Sequence, residues 1–474
     1  MLEEKTTDAL IIGAGISGLA CAAWLRQQGV SVAVLETASQ AGGVMQTELH
    51  NGYLCETGPN SLLETSPRIG ELIALAGLQD DMIAAGPQAK RRYIVKNARL
   101  QALPMSPLAF LRTPLFSPAA KLRLMREPFI APLPATEDES IASFVRRRLG
   151  NEFLDYAIDP FVAGVYAGDP DNLSVACAFP KLKALEANYG SLIRGAIRGR
   201  KERAQREDKA KDRARMLSFR RGLGQLNTAL AQKLGRNILY EISNLQIARD
   251  PIEANWQVSF RQRGESYSLA VQHLVLTIPT NRLLEIFSGE LAEACRPLQQ
   301  IPYAPVVVLT TGFKQEDVQH PLDGFGFLAP KKEKRQILGT LWNSSIFPER
   351  APAGRVLLTT FIGGARQPHL ADLNDEKLIE LTLQELRELI GAHDRPEFMH
   401  VRRYARAIPQ YALGHQRYQQ IINRLERDFP GLHFAANYRD GVSVSDCIVR
   451  AHRTAGEIAQ AHAHLKKHEA LAFA

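Results

Sequence analysis

Hydrophobic positions change period several times along the chain, and each change marks an element. "DALIIG", from Asp8, is a short apolar run of the kind that makes a buried strand. "ISGLACAAWLRQQG" then places apolar residues at helical spacing and stops at Gly29, and "VSVAVLE" returns to strand texture up to Glu36. Together they predict a βαβ unit from Asp8 to Glu36. A second α/β stretch runs from Arg220 to Thr280. There "GLGQLNTALAQKLG" is helical, "ILYEIS" and "WQVSF" are strand-like, and "QHLVLTIP" is a buried strand closed by Pro279. Strands and helices alternate again from Pro305 to Arg403. The C-terminal "LHFAANYRDGVSVSDCIVRAHRTAGEIAQ" reads as strand, glycine turn and long helix. No internal repeat or low-complexity linker separates these stretches. The expected fold is mixed α/β, with domains woven from separate segments.

Two stretches break the pattern. Leu100 to Pro134 mixes prolines, Phe and Leu with Arg and Lys, a texture that suits a membrane surface or a helical subdomain with proline-broken connections. Arg198 to Arg215 is a charge run whose opposite charges at i,i+4 suit a solvated helix or loop. No aromatic interleaves those charges, so nucleic-acid binding is not expected.

Composition adds bounds. The 474 residues exceed one ordinary domain, so two or three are expected. With 45% hydrophobic and 23% charged residues the chain belongs with soluble globular proteins that have a large core. The formal net charge of +8 favours anionic partners. The five cysteines, Cys21, Cys55, Cys177, Cys295 and Cys447, form no CxxC pair and no metal-ligand spacing, which fits reduced thiols in the cytosol. Met1 to Thr7 is too short and polar for a signal peptide. No uncharged apolar run reaches the ~18–20 residues of a spanning helix. His462, His464 and His468 cluster near the C-terminus, but without further ligands no metal is expected. There is no GxSxG and no nucleophilic Cys beside a partnered His.

The chemistry-bearing signal is Gly13-Ala14-Gly15-Ile16-Ser17-Gly18, a G-x-G-x-x-G run that follows a strand and opens a helix. Gly13 permits the tight turn, Gly15 lets backbone approach a pyrophosphate, and Gly18 packs helix on strand. Glu36, at the end of the second strand, can accept hydrogen bonds from both ribose hydroxyls and would repel a 2′-phosphate. These residues predict a dinucleotide. The choice of FAD over NAD rests on resemblance. Gly42-Gly43 in "AGGVMQT" resembles the GG motif of flavoproteins of the amine-oxidase type. "ETGPNSL" (Glu56 to Leu62), "VLTIP" (Val275 to Pro279) and "DGVSVSDCI" (Asp440 to Ile448) resemble later flavin-facing segments of the same proteins.

Further motifs narrow the resemblance. "FVAGVYAGDPDNLSVACAFP" (Phe161 to Pro180), "RYIVKNARLQALP" (Arg92 to Pro104), "GFGFLAPKKE" (Gly324 to Glu333), "LGTLWNSSIFPERAP" (Leu338 to Pro352), "TTFIGGARQP" (Thr359 to Pro368) and "IPQYALGHQ" (Ile408 to Gln416) resemble the oxygen-dependent protoporphyrinogen oxidase family over nearly the whole chain. The resemblance implies three interleaved parts: a Rossmann-like FAD-binding domain (5–86, 218–287, 426–463), a helical membrane-associating domain (93–205), and a sheet-containing substrate domain (87–92, 206–217, 288–425). It implies six-electron oxidation of a porphyrinogen, with hydride passing to flavin N5 and oxygen yielding hydrogen peroxide. It also implies FAD contacts at Gly13, Ala14, Gly15, Ile16, Ser17, Gly18, Glu36, Thr37, Gly43, Val44, Gly58, Pro59, Asn60, Ser61, Ile242, Asn437, Val442, Ser443 and Val444.

For the substrate, Arg92 aligns with the family arginine that pairs a propionate, and a guanidinium can hold a carboxylate bidentately. Gly164 aligns with a glycine whose carbonyl faces the pyrrole N–H groups, and Asn60 with an asparagine near the reacting carbon. Phe327, Leu328 and Trp342 fall where the family packs apolar side chains over the macrocycle. Where related flavoproteins carry an arginine beside the GG pair, Ala41 and Val44 stand here, which weakens a generic amine-oxidase reading. Further expectations from the resemblance are molecular oxygen as acceptor, peripheral contact with the cytoplasmic face of an inner membrane, a homodimer, and handover to ferrochelatase. The alternative substrate is coproporphyrinogen III, whose four propionates would call for a second basic pocket residue.

Overall fold

The protein is described here from a computed structural model, which covers residues 7–134, 138–199, 214–250, 252 and 255–472, with side chains up to His464. Most of the charge run 198–215, and the side chain of His468, lie outside the described residues.

The predicted βαβ unit forms the centre of a five-stranded parallel sheet in the order Ile238–Leu239, Val32–Leu35, Ala9–Ile12, His273–Leu276, Leu432–Phe434. Three of these strands are buried at every position, which explains why they read as unbroken apolar runs. Alternate residues supply two different cores. Ala9, Ile11, Val32, Val34 and Val275 pack under the helices Ile16–Gln27, Gln225–Leu234 and Val444–Ala472. Leu10, Ile12, Ala33, Leu35, Leu274 and Leu276 pack against a three-stranded antiparallel meander, Ile242–Arg249, Trp256–Gln262 and Glu265–Val271. Trp24 meets His452 edge-on, tying the first helix to the last.

A second, seven-stranded sheet runs Phe398–Pro409, Tyr303–Lys314, Arg355–Gly363, Gly339–Trp342, Gly326–Leu328, Tyr93–Lys96, Arg99–Ala102. Its pairs are antiparallel except Gly326–Leu328 with Tyr93–Lys96. Residues 93–102, expected to open the helical part, are therefore two strands of this sheet, and helices begin at Pro107. The partner strand for Tyr93–Lys96 lies more than 200 residues away, so local sequence carries no sign of the pairing.

The helical part, Pro107 to Arg198, is held by a buried ionic network. Arg148, fully buried, pairs with Glu127 at 3.1 Å and Glu186 at 2.6 Å; Arg147 joins Glu186 and Glu139, each at 2.7 Å. Glu127 also accepts from the Ser191 hydroxyl and from the N–H groups of Leu192 and Ile193, at the start of helix Leu192–Arg198. Burial alone would raise the Glu186 carboxyl, but Arg147 and Arg148 hold it down at about 2.

Candidate functional site

Parallel strands end on the same edge of their sheet. Gly13, Glu36, Thr277 and the segment from Ala435 to Asn437 therefore meet at one rim, the edge where open α/β sheets take ligands. Gly13 adopts φ +104°, and a Cβ on Gly18 would sit 2.0 Å from the Gly13 carbonyl oxygen, so strand and helix meet here without side chains. Gly15 differs: its φ is −75° and a Cβ there would meet nothing within 4 Å. The space above Gly15 is open, at the first turn of a helix whose N–H groups face it, which suits a pyrophosphate.

Glu36 lies at the rim as expected. Its carboxylate accepts from Ala14 N–H at 2.7 Å and Ala38 N–H at 2.9 Å, which fixes it beside the glycine turn, and Thr37 follows it in an exposed position. Ile242 donates its N–H to the Glu36 carbonyl. Gly42 and Gly43 take φ +126° and +58°, and Gly42 donates to the Ala14 carbonyl, so the GG turn lies against the first glycine turn. Two residues not named among the expected contacts, one of them inside the quoted "VLTIP", lock this arrangement. Asn227 donates to the carbonyls of Gly42 (3.1 Å) and Met45 (2.7 Å), and Thr277 donates to those of Ile12 (2.7 Å) and Gly13 (3.1 Å). Val44 is left 52% exposed, an apolar surface for a flat ring to cover. A Cβ on Gly58 would lie 2.3 Å from the Val44 carbonyl oxygen, which brings Gly58, Pro59, Asn60 and Ser61 against the same turn. From the C-terminal end, Ser443 caps the last helix through a reciprocal pair with Asp446, and Tyr411 donates to the Asn437 carbonyl and accepts from Gly441 N–H. Val442, Ser443 and Val444 thus present a second helix N-terminus beside this rim. These features fit FAD.

The second sheet sorts the expected substrate residues by strand alternation. Cross-strand partners share a face, so Ile94, Leu328, Gly339 and Phe361 form one row, and Leu341 lies on that side with Gly326 and Thr359. Arg92, two residues before Ile94, falls on the same side. This face looks toward the helical part: Ala163 and Ala167 pack against Val306, Val308 and Phe361, and a Cβ on Gly164 would meet Leu328 Cδ2 at 3.1 Å. Leu328, Leu341 and Phe361 are only half-buried there.

Phe327 and Trp342 are corrections. They alternate to the opposite face and sit in the core against helix Asp375–Ile390, 2% and 0% exposed, with Trp342 packed on Tyr93 and His320. They build the sheet's support, and Leu341 and Phe361 stand beside Leu328 on the half-buried face instead. Both lie inside motifs recognised in the sequence; strand parity was the missing signal.

The faces meet the rim at Asn60. Its side-chain oxygen accepts from Asn343 Nδ2 at 2.6 Å, and its amide donates to the Gly58 carbonyl at 2.9 Å. Asn343, 3% exposed, follows Trp342 directly, and its own oxygen has no hydrogen-bond partner among the described residues. Tyr404 donates to the Thr57 carbonyl at 3.0 Å, joining the same loop to the sheet. Arg92 stacks over Phe325 at 5.2 Å. Nearby, burial pushes the Glu56 carboxyl up to about 7, against the hydrogen bonds it accepts from Thr47 and Leu223 and the charge of Arg350. Burial likewise pushes the thiols of Cys21, Cys55 and Cys295 up to about 12, so they are inert core residues. His462 lies 3.8 Å from Asp8 and is buried, whereas His464 is exposed.

This geometry agrees with comparisons to known proteins. Residues 16–459 match the family described as flavin containing amine oxidoreductase. The protoporphyrinogen oxidase 2 of Arabidopsis thaliana is 33% identical over 92% of this chain and 91% of its own length. The coproporphyrinogen III oxidase of Bacillus subtilis (strain 168) is 28% identical over 94% and 97%. Among solved structures, a protein of Exiguobacterium sp. 255-15 provisionally named a protoporphyrinogen oxidase superposes with TM-score 0.79 at 24% identity, covering 97% and 100%. Cyclohexylamine oxidase from Brevibacterium oxydans IH-35A superposes at 0.68 and 19%, covering 96% and 99%. A glycine-lined rim shaped for FAD, opening onto an apolar sheet face with an arginine at its end, thus agrees with relatedness over more than nine-tenths of the sequence: the chain belongs to the flavin-containing amine oxidoreductases, in the group that includes the protoporphyrinogen oxidases.

Proposed function

We propose that this chain oxidises protoporphyrinogen IX to protoporphyrin IX in heme biosynthesis, with molecular oxygen as the final acceptor. Bound FAD would supply the hydride acceptor at N5 and the reoxidation by oxygen that gives hydrogen peroxide. The chain's own residues orient and desolvate. Arg92 holds a propionate and so sets the macrocycle's angle. Leu328, Leu341 and Phe361 cover the ring and exclude water, and Gly164 leaves room between helix and sheet. Asn60, held by Asn343, meets the ring where the sheet face joins the flavin rim. The observation that carries this reading is the placement of Arg92 on the half-buried apolar face that ends at Asn60. Oxygen uptake measured with protoporphyrinogen IX and coproporphyrinogen III tests it. Preference for the dicarboxylate is expected; equal or preferred use of the tetracarboxylate overturns the substrate assignment.

The helical part supports contact with a membrane surface. Met105, Leu108, Leu111, Met125 and Phe129 are 57–83% exposed, and Arg112, Lys121, Arg123 and Arg126 lie among them. No helix among the described residues is long and apolar enough to cross a bilayer. Co-flotation with anionic vesicles, lost in Leu108→Glu/Phe129→Glu, is expected; flotation equal to wild type in that variant refutes the contact.

A further inference from the structure

A second group of residues, away from the flavin rim, has the chemistry of a metal site. Glu48 and His50 stand two apart on the strand Thr47–His50, so they share a face. His400, on the strand Phe398–Pro409, meets them. Glu48 Oε2 lies 2.8 Å from His50 Nε2 and 3.5 Å from His400 Nε2, and all three ligand atoms fall within 4.8 Å of one another. A tetrahedral ion with bonds of about 2.0–2.1 Å separates its ligand atoms by about 3.3–3.4 Å. The Glu48–His400 edge, 3.5 Å, is close to that length, and the 2.8 Å Glu48–His50 edge must open by about 0.5 Å, which side-chain rotation supplies. The two imidazoles lie side by side, their planes 28° apart and centroids 5.4 Å apart, so a turn about each Cβ–Cγ bond brings both nitrogen lone pairs onto one ion, and His50 stacks in turn on Phe398. The side chains are 26–43% exposed, so a hydrated ion can enter and a fourth position stays open to water. Two imidazoles and one carboxylate select a borderline ion such as zinc over magnesium or calcium, which favour all-oxygen sites.

We propose that Glu48, His50 and His400 form a site for one divalent transition ion of the zinc class, which staples the hairpin of antiparallel strands Thr47–His50 and Tyr53–Glu56 to the strand Phe398–Pro409. The staple has a structural consequence. The hairpin runs on into Thr57–Asn60, and Tyr404, four residues beyond His400, holds the Thr57 carbonyl. An ion here therefore fixes the two segments that converge on the flavin-facing loop.

The test uses flavin-loaded protein dialysed against a chelator and titrated with zinc chloride in a calorimeter at neutral pH. One ion per chain is expected, with a higher melting temperature in its presence. His50→Ala and His400→Ala each weaken binding by about tenfold or more, and Glu48→Gln also weakens it. An unchanged flavin spectrum certifies that each variant is folded, and His50→Asn and His400→Asn replace any that is not. Absence of saturable one-to-one binding, or equal binding by the combined variant Glu48→Gln/His50→Ala/His400→Ala, overturns the proposal. In that outcome the cluster is a carboxylate bridging two imidazoles and nothing more.

Discussion

Gly15 and Gly18 sit three residues apart in the same turn, yet the structure assigns them different tasks, and two alanine substitutions separate these. In Gly18→Ala the new methyl starts 2.0 Å from the Gly13 carbonyl oxygen. Carbon contacts are comfortable only near 3.5 Å, so the turn must open by about 1.5 Å. Gly13 resists, because its N–H donates to Leu35 at 2.8 Å and its carbonyl accepts from Thr277. Overpacking of a fixed backbone costs about 1–3 kcal/mol, and this case belongs at the upper end. In Gly15→Ala the methyl meets no atom within 4 Å, and φ −75° is one that alanine adopts freely. The flavin-free protein should then keep its stability within about 0.5 kcal/mol. Its methyl occupies the space a pyrophosphate needs, so FAD affinity should fall at least about tenfold, or 1.4 kcal/mol. The assay strips flavin from each protein, records thermal unfolding, and then titrates FAD back by quenching of its fluorescence. Expected are a lowered melting temperature with weakened FAD binding for Gly18→Ala, and an unchanged melting temperature with weakened FAD binding for Gly15→Ala. Wild-type FAD affinity in Gly15→Ala, or wild-type melting in Gly18→Ala, refutes the assignment of cofactor space to one glycine and backbone packing to the other.

Arg92→Ala removes a charge-assisted carboxylate contact worth about 1.5–3 kcal/mol, so KM should rise about 10- to 150-fold with flavin still bound; unchanged steady-state kinetics would take Arg92 out of the site. Asn343→Leu deprives Asn60 of its donor while roughly keeping volume. We expect kcat to fall up to about tenfold, or 1.4 kcal/mol, at full FAD occupancy, and an unaltered kcat would separate the pair from the chemistry. Glu186 is depressed to about 2 in the folded protein from an ordinary value of 4.5. Its stabilisation is therefore complete above about pH 4.5 and lost as pH falls toward about 2, read by melting temperature across that window. Glu186→Gln leaves Arg148 with less buried countercharge, costs about 3–5 kcal/mol at neutral pH, and should flatten the acid limb; an equally steep acid limb in the variant would count against the network.

Much of the cofactor site was legible because its signals are local. A strand, a glycine turn and a helix N-terminus fall within Asp8 to Gln27, and the acid at Glu36 closes the next strand. Each glycine's role follows from backbone geometry that any other side chain would spoil. The half-buried sheet face was legible only as motifs. "GFGFLAPKKE" and "LGTLWNSSIFPERAP" locate the strands, but Phe327 and Leu328 are neighbours that point to opposite faces, and Trp342 is divided from Leu341 in the same way. Apolar character is equally at home in a core and under a macrocycle, so composition does not choose between them. Asn343 carried no signal, since its partner Asn60 is 283 residues away.

The sequence by itself determined the strands and helices that frame the first turn and the C-terminal helix, that a dinucleotide is held at that turn, and, through quoted motifs, the family. These depend on residues within about one element of each other, where periodicity and backbone preference act. Tertiary structure decided the rest: that residues 93–102 join a sheet rather than open a helical part, which residues of that sheet face the helical part and which the core, and that Glu48 and His50 meet His400. Those outcomes follow from strand pairing and packing between segments hundreds of residues apart. Pairing register is fixed by the total burial of both faces, a quantity no local window contains.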